Sequence, residues 1–265
     1  VIIGLFILLE SRTGEPLLHI GLFRNGLFSL SLVCAFISFV CISSYTLLFP
    51  FYFQETLKLS PSTAGILMMT APVIIALLAA FCGMLADRIG AEILTLIGLL
   101  IMSASFLLMS HLGLASPLWF SVLFLGLMAV GQALFQPANN SLVMSSCPPN
   151  KLGIGGGLNA WVRNLGQYVG VVLSTTLLYG FMSRKIGHNV ADYIRGRDDV
   201  FIYGMKNVYL ILMTICLIGM VLTVYRLVRA KRKNRRPPVP ETSVSDVATV
   251  VMAADHPTPD DRARA

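Results

Sequence analysis

Residues 66–111 read ILMMTAPVIIALLAAFCGMLADRIGAEILTLIGLLIMSASFLLMSH. Two apolar runs, at about 66–86 and 92–111, flank a short stretch carrying Asp87, Arg88 and Gly90. About 20 mainly apolar residues are enough for an α-helix to cross a bilayer. Each run has that length, so the stretch predicts a helical hairpin that crosses a membrane twice. The pattern repeats outward in runs at about 26–53, 118–140, 155–181 and 207–228. A transmembrane β-barrel would instead show short alternating segments. The expected fold class is therefore all-α: a polytopic transmembrane helical bundle, with residues 26–228 as a six-helix unit.

Composition supports this reading. Of 265 residues, 55% are apolar and 12% charged, against roughly 25% charged in soluble domains. A water-soluble enzyme, a disordered chain and a nucleic-acid binder are all excluded by that balance. The net charge of +7 is concentrated at residues 229–236, RAKRKNRR. Pro237, Pro238 and Pro240 then open a polar stretch, so 229–265 is expected to be a basic and then disordered tail. Val1–Leu9 is apolar from its start and reads as the end of a preceding transmembrane helix, with 10–25 as the loop after it. Arg12, Arg24, Arg88, Lys151, Arg226 and the basic stretch fall on the tail side of the spans. Lys58, Arg184, Lys185, Arg195, Arg197 and Lys206 fall on the other side. The excess of positive charge, most of it in the tail, predicts that loop 10–25 and the tail lie in the cytoplasm, and a cell-membrane location is expected. The basic charge reads as an anchor against anionic headgroups, with no nucleic acid as partner. The five cysteines form no Cys-x-x-Cys pair, so no metal site, cofactor or disulfide framework is expected.

Polar groups inside the spans carry the functional signal. Asn159, Arg163 and Gln167 recur every four residues and share a helix face. A charge in the hydrocarbon region costs at least about 2.5 kcal/mol, so Arg163 should face a bundle interior or a water-filled cavity. It either lines a solute pathway or secures packing, and both readings stay open. Gln132, Gln136 and Asn140 follow the same spacing around Pro137, which can kink its helix. Amides and prolines on several spans predict a solute pathway. Gly153, Gly157, Gly166 and Gly170 have the small-residue spacing that lets membrane helices approach closely. No Asp or Glu lies deep in a span, since Glu55 and Asp87 sit at ends. Trp119, Tyr179 and Tyr209 are expected at the membrane interfaces. There is no Ser/His/Asp set or nucleotide loop, and an enzyme is not expected.

The segment Gly83-Met-Leu-Ala-Asp87-Arg88-Ile-Gly90 resembles the cytoplasmic loop motif of the major facilitator superfamily, in its second-half copy. Phe51-Tyr-Phe-Gln54, Leu59-Ser60-Pro61, Asn139-Asn-Ser-Leu-Val-Met144 and Leu152–Gly166 are similar to the 14-helix drug:proton antiporter family in particular. That resemblance implies the C-terminal six-helix half of a major facilitator fold, partnered by N-terminal helices upstream. It implies that Gly83, Asp87, Arg88 and Gly90 form a gating loop. Ala91 and Glu92 depart from the family pattern, where basic residues are common.

The expected function is secondary active transport, namely proton-coupled export of drugs or other lipophilic or cationic small molecules. The partners would be the small-molecule substrate, protons and the lipid bilayer. Two alternatives stand beside it: export of a metabolite or organic anion held by Arg163, and a non-transporting truncated membrane scaffold.

Overall fold

A computed structural model describes residues 22–23, 25–188 and 197–234. The helix end expected at 1–9, nearly all of the loop at 10–25 and the tail beyond Asn234 lie outside the described residues. Among those described, the chain is helical and contains no strand. The helices are α1 (Gly26–Phe51), α2 (Pro61–Met68), α3 (Thr70–Ile89), α4 (Ala91–Met109), α5 (Leu118–Ser145), α6 (Leu152–Ile186) and α7 (Asp198–Asn234). They supply six stretches long and apolar enough to cross a membrane, with α2 and α3 sharing one. The protein is thus a multi-pass membrane bundle.

The helix ends follow local chemistry. The Oδ1 of Asn25 caps α1 by accepting from the Leu27 N–H at 3.2 Å. Pro50 lies inside α1, and the helix then widens into one π-helical turn over Tyr52–Thr56. Ser60 Oγ accepts from the Thr63 N–H at 3.2 Å, and Pro61 opens α2 at the position where its missing N–H is harmless. α6 continues past the apolar run to Ile186. Arg184 and Lys185 complement the negative end of its dipole, and Gly187, at φ +88°, supplies the left-handed residue that stops it. Asp198 and Asp199 do the converse at the start of α7, which begins well before the apolar run at 207.

The connection between α3 and α4 is shorter than expected. Asp87 and Arg88 belong to the last turn of α3, and Gly90 alone breaks the helix, at φ +89° and ψ 136°. No side-chain-bearing residue adopts that φ cheaply, so the turn requires glycine.

Successive spans run in opposite directions, and contacts between their ends fix this. At one end the Asn25 amide donates to the Ser146 carbonyl at 2.9 Å. At the other, the Tyr52 hydroxyl donates to the Gly113 carbonyl at 3.0 Å. Ion pairs there join Lys58 to Asp198 at 3.5 Å and Lys185 to Asp199 at 3.2 Å. Within that far half, Phe49, Tyr52, Phe53, Phe106 and Tyr209 form a buried aromatic core. The rings of Phe49 and Phe53 are 5.4 Å apart, and those of Phe106 and Tyr209 are 6.1 Å apart. Tyr209 is therefore a core residue, not the interfacial one expected, whereas Trp119 is exposed.

Lipid is as apolar as leucine, so membrane helices associate through close contact and hydrogen bonds rather than through water exclusion. Glycines make that contact here. A Cβ at Gly98 of α4 would lie 2.8 Å from the Gly131 carbonyl oxygen of α5. One at Gly166 of α6 would lie 2.9 Å from the Phe36 carbonyl oxygen of α1, and one at Gly170 would overlap Val40 and Ser43. Gly153 and Gly157, expected to pack in the same way, have nothing within 4 Å. They lie off the apposed face, and the close contact nearby belongs to Gly155, against Cys147. Burial raises the Cys147 thiol above its ordinary pKa, so it stays protonated.

Overpacking a close helix contact costs about 1–3 kcal/mol. Gly98→Leu is accordingly expected to lower the unfolding temperature of the purified protein in detergent. Gly153→Leu, with open space around it, is expected to shift stability by no more than about 0.5 kcal/mol. Thermal unfolding of the two variants side by side checks both statements.

Candidate functional site: an amide-lined cavity

α1, α3, α5 and α6 surround a cavity of about 320 Å³. Its apolar wall is Ala35 and Phe39 of α1 with Ile75 and Ala79 of α3. The polar wall comes from α5 and α6. Gln132, Gln136, Asn139 and Asn140 project from α5, and Asn159 and Arg163 from α6. Alanines at 35, 79 and 133 leave the space open. Pro137 also lines it. Its missing N–H deprives the Ala133 carbonyl of a helical partner, so α5 is held less firmly by its own backbone there.

The polar groups differ in how far they are committed. Gln132 is 7% exposed, and its Oε1 accepts from the Tyr45 hydroxyl at 3.2 Å. The Asn159 amide donates to Asn140 Oδ1 at 2.8 Å, bridging α6 to α5 across the cavity wall. Gln136 is half-buried and Arg163 exposed, and neither side chain has a partner among the described residues. Among the polar side chains that line the cavity, these two are uncommitted at every polar atom. The guanidinium can donate two parallel hydrogen bonds to a carboxylate, and the amide can donate and accept at once.

Of the residues expected on this pathway, Gln132, Gln136, Asn140, Asn159 and Arg163 meet at the cavity. Gln167 does not line it. It lies two turns beyond Asn159, roughly 12 Å along the axis, and is exposed. Of the expected gating residues, Gly83 is half-buried with open space where a Cβ would stand, and Arg88 is exposed at the end of α3. Asp87 lies in the same turn, and its side chain is outside the description.

One buried cluster was not anticipated. Sequence position groups Arg226 with the basic tail as a headgroup contact, yet it is 1% exposed inside the bundle. Its Nη1 donates to Ser31 Oγ at 3.0 Å and to Asn139 Oδ1 at 3.3 Å. Its Nη2 donates to Thr95 Oγ1 at 2.6 Å. Gly219, Thr223 and Arg226 share a helix face by spacing. The small glycine and the hydroxyl are the signal that this face turns inward.

The sequence matches the model of the Major Facilitator Superfamily over residues 31–258. It is 28% identical over 230 residues to the riboflavin transporter RibZ of Clostridioides difficile, covering 85% of this chain and 48% of that protein. It is 32% identical to the uncharacterized transporter YebQ of Escherichia coli, covering 68% of this chain and 40% of that protein. It is 27% identical to the multidrug transporter protein MdtP of Bacillus subtilis, covering 71% and 34% respectively. The chain thus spans less than half the length of each of these relatives. With six apolar spans, no strand among the described residues and a family match across nearly all of the bundle, the chain belongs to the major facilitator superfamily.

Proposed function

We propose that the protein is a secondary transporter of small organic solutes, and that this chain supplies one wall of its central cavity. The observation that carries this reading is the convergence of Gln132, Gln136, Asn140, Asn159 and Arg163 on one cavity. A passive anchor has no use for five such groups among its spans. In the proposed cycle a solute docks against Gln136 and Arg163, with the apolar wall at Phe39 and Ile75 taking its hydrophobic face. This bundle then rocks against the helices that complete the transporter, exposing the cavity to the two sides in turn. The turn at Asp87, Arg88 and Gly90 acts as the latch on the cytoplasmic side. The basic stretch at 229–236 favours a cytoplasmic C-terminus in a cell-membrane protein under the same proposal.

The leading substrate class is drug-like, lipophilic or cationic compounds exported against protons. A relative named as a multidrug transporter supports it. No Asp or Glu is among the residues lining the cavity. In this scheme either helices outside this chain carry the proton on a carboxylate, or export is not coupled to protons. A second reading, export of a metabolite or an organic anion, is favoured by Arg163, a cation in the cavity wall. A relative named as a riboflavin transporter fits it too.

Transport of ethidium, riboflavin and an aromatic carboxylate such as salicylate by the protein in proteoliposomes separates these readings. Arg163→Ala is expected to reduce transport of the preferred solute about ten- to a hundredfold, the equivalent of one lost charged hydrogen bond. Greater loss for salicylate than for ethidium would select the anion reading. Wild-type rates for every solute in Arg163→Ala would remove the cavity from the path. A protein that inserts yet moves none of the three would be a scaffold.

Asp87→Asn is expected to slow transport at least several-fold while leaving membrane insertion intact. Uptake rates normalised to protein in the membrane check this, and an unchanged rate would refute the latch.

A further inference from the structure

The cavity wall does not hold itself in place. Asn139 lines the cavity but is only 3% exposed, and its carboxamide is turned to the protein. Its Nδ2 donates to the Ser31 carbonyl at 3.2 Å, and its Oδ1 accepts from Arg226 at 3.3 Å. The same Nη1 of Arg226 reaches Ser31 Oγ, so one guanidinium nitrogen clamps α5 to α1. Nη2 reaches across to α4 at Thr95, whose hydroxyl in turn donates to the Glu92 carbonyl, two residues after the Gly90 turn. Arg226 forms no ion pair among the described side chains, and its Nε has no acceptor. Its hydrogen-bond partners are all neutral, and burying a cation is unfavourable unless geometry compensates. An apolar residue could fill the same space, but it could not bind α1, α4 and α5 at once.

The place it binds is the weak point of α5. Pro137 removes a backbone hydrogen bond two residues before Asn139. Asn140, the next residue, carries the bridge to Asn159. Release of Asn139 would let this stretch turn, and with it the wall facing the solute.

We infer that Arg226 is a positioning residue of the cavity: through Asn139 it fixes the wall segment that follows Pro137, without touching the solute. The inference rests on reading the cavity as the solute path, and its principal test does not depend on that reading. The reporter is the rate at which Asn140→Cys reacts with a membrane-impermeant maleimide in the membrane-embedded protein. The five native cysteines are buried thiols, so the background is low. Arg226→Lys keeps a positive charge but loses the fork. It is expected to accelerate labelling at least threefold. Asn139→Ala in the reporter background should accelerate it by a similar factor. The double variant should be no faster than either alone, because both changes release one contact.

Thr95→Val, an isosteric change that removes the Nη2 acceptor together with the hydroxyl's local bond to the Glu92 carbonyl, gives the same direction of change if Arg226→Lys fails to insert. Where ethidium is transported, Arg226→Lys should raise its KM several-fold while the maximal rate changes less than twofold. Unchanged labelling with a lowered unfolding temperature would overturn the inference, since Arg226 would then only hold helices together. Multiplying effects in the double variant would also overturn it, because Arg226 would then not act through Asn139. Failure of the transport reading appears elsewhere, as wild-type transport by Arg163→Ala, and leaves the labelling result standing.

Discussion

Inside a bilayer a helix gains little by exchanging lipid for a neighbouring helix, so close contact and hydrogen bonds must supply the association. A polar group within the spans is also costly unless it finds a partner in the protein or a cavity. These two demands organise the molecule. Where two spans need only hold, glycines let the backbones meet, as Gly98 meets Gly131 and as Gly166 and Gly170 meet α1. Where spans must leave room, alanines and a proline stand at the contact, and amides take over the bonding. The far half is closed by aromatic rings in edge-to-face and tilted contacts, and the polar cavity lies nearer the end that carries the Gly90 turn.

This division gives the bundle a rigid half and an adjustable half. The aromatic core is locked by shape. The wall at 136–140 is held by side chains, chiefly Asn139 on Arg226 and Asn140 on Asn159. Side-chain bonds can be exchanged one at a time, whereas a packed aromatic core moves only as a block. A cavity whose wall is held in this way fits the proposed cycle, in which the bundle opens to two sides in turn.

Much of the fold was legible in the chain. Runs of apolar residues located all six spans, because membrane-crossing length and composition are properties of a single segment. Helix ends were less legible. Asp87 and Arg88 read as loop because they are charged, but a helix end tolerates charge and only Gly90 stops the hydrogen-bond ladder. Facing was least legible. Gly153 and Gly166 have the same four-residue spacing, yet only the second meets another backbone. A face is defined by its neighbour, which spacing does not name. The polar face of α6 carried the eye as far as Gln167, but a four-residue step drifts about 40° around an α-helix and climbs about 6 Å. Arg226 was hidden by the basic stretch that follows it. Its role depends on Ser31, Thr95 and Asn139, all distant in sequence.

The central claim is that the space beside Gln136 is entered by water and by the transported solute. The most direct measurement is the reactivity of Gln136→Cys toward an impermeant thiol reagent, in sealed vesicles of each orientation. It is made with and without a solute that the wild-type protein moves. The cavity reading expects labelling that depends on vesicle orientation and falls severalfold when the solute is present. A cysteine that stays unreactive from both sides, or one whose labelling ignores the solute, would contradict it.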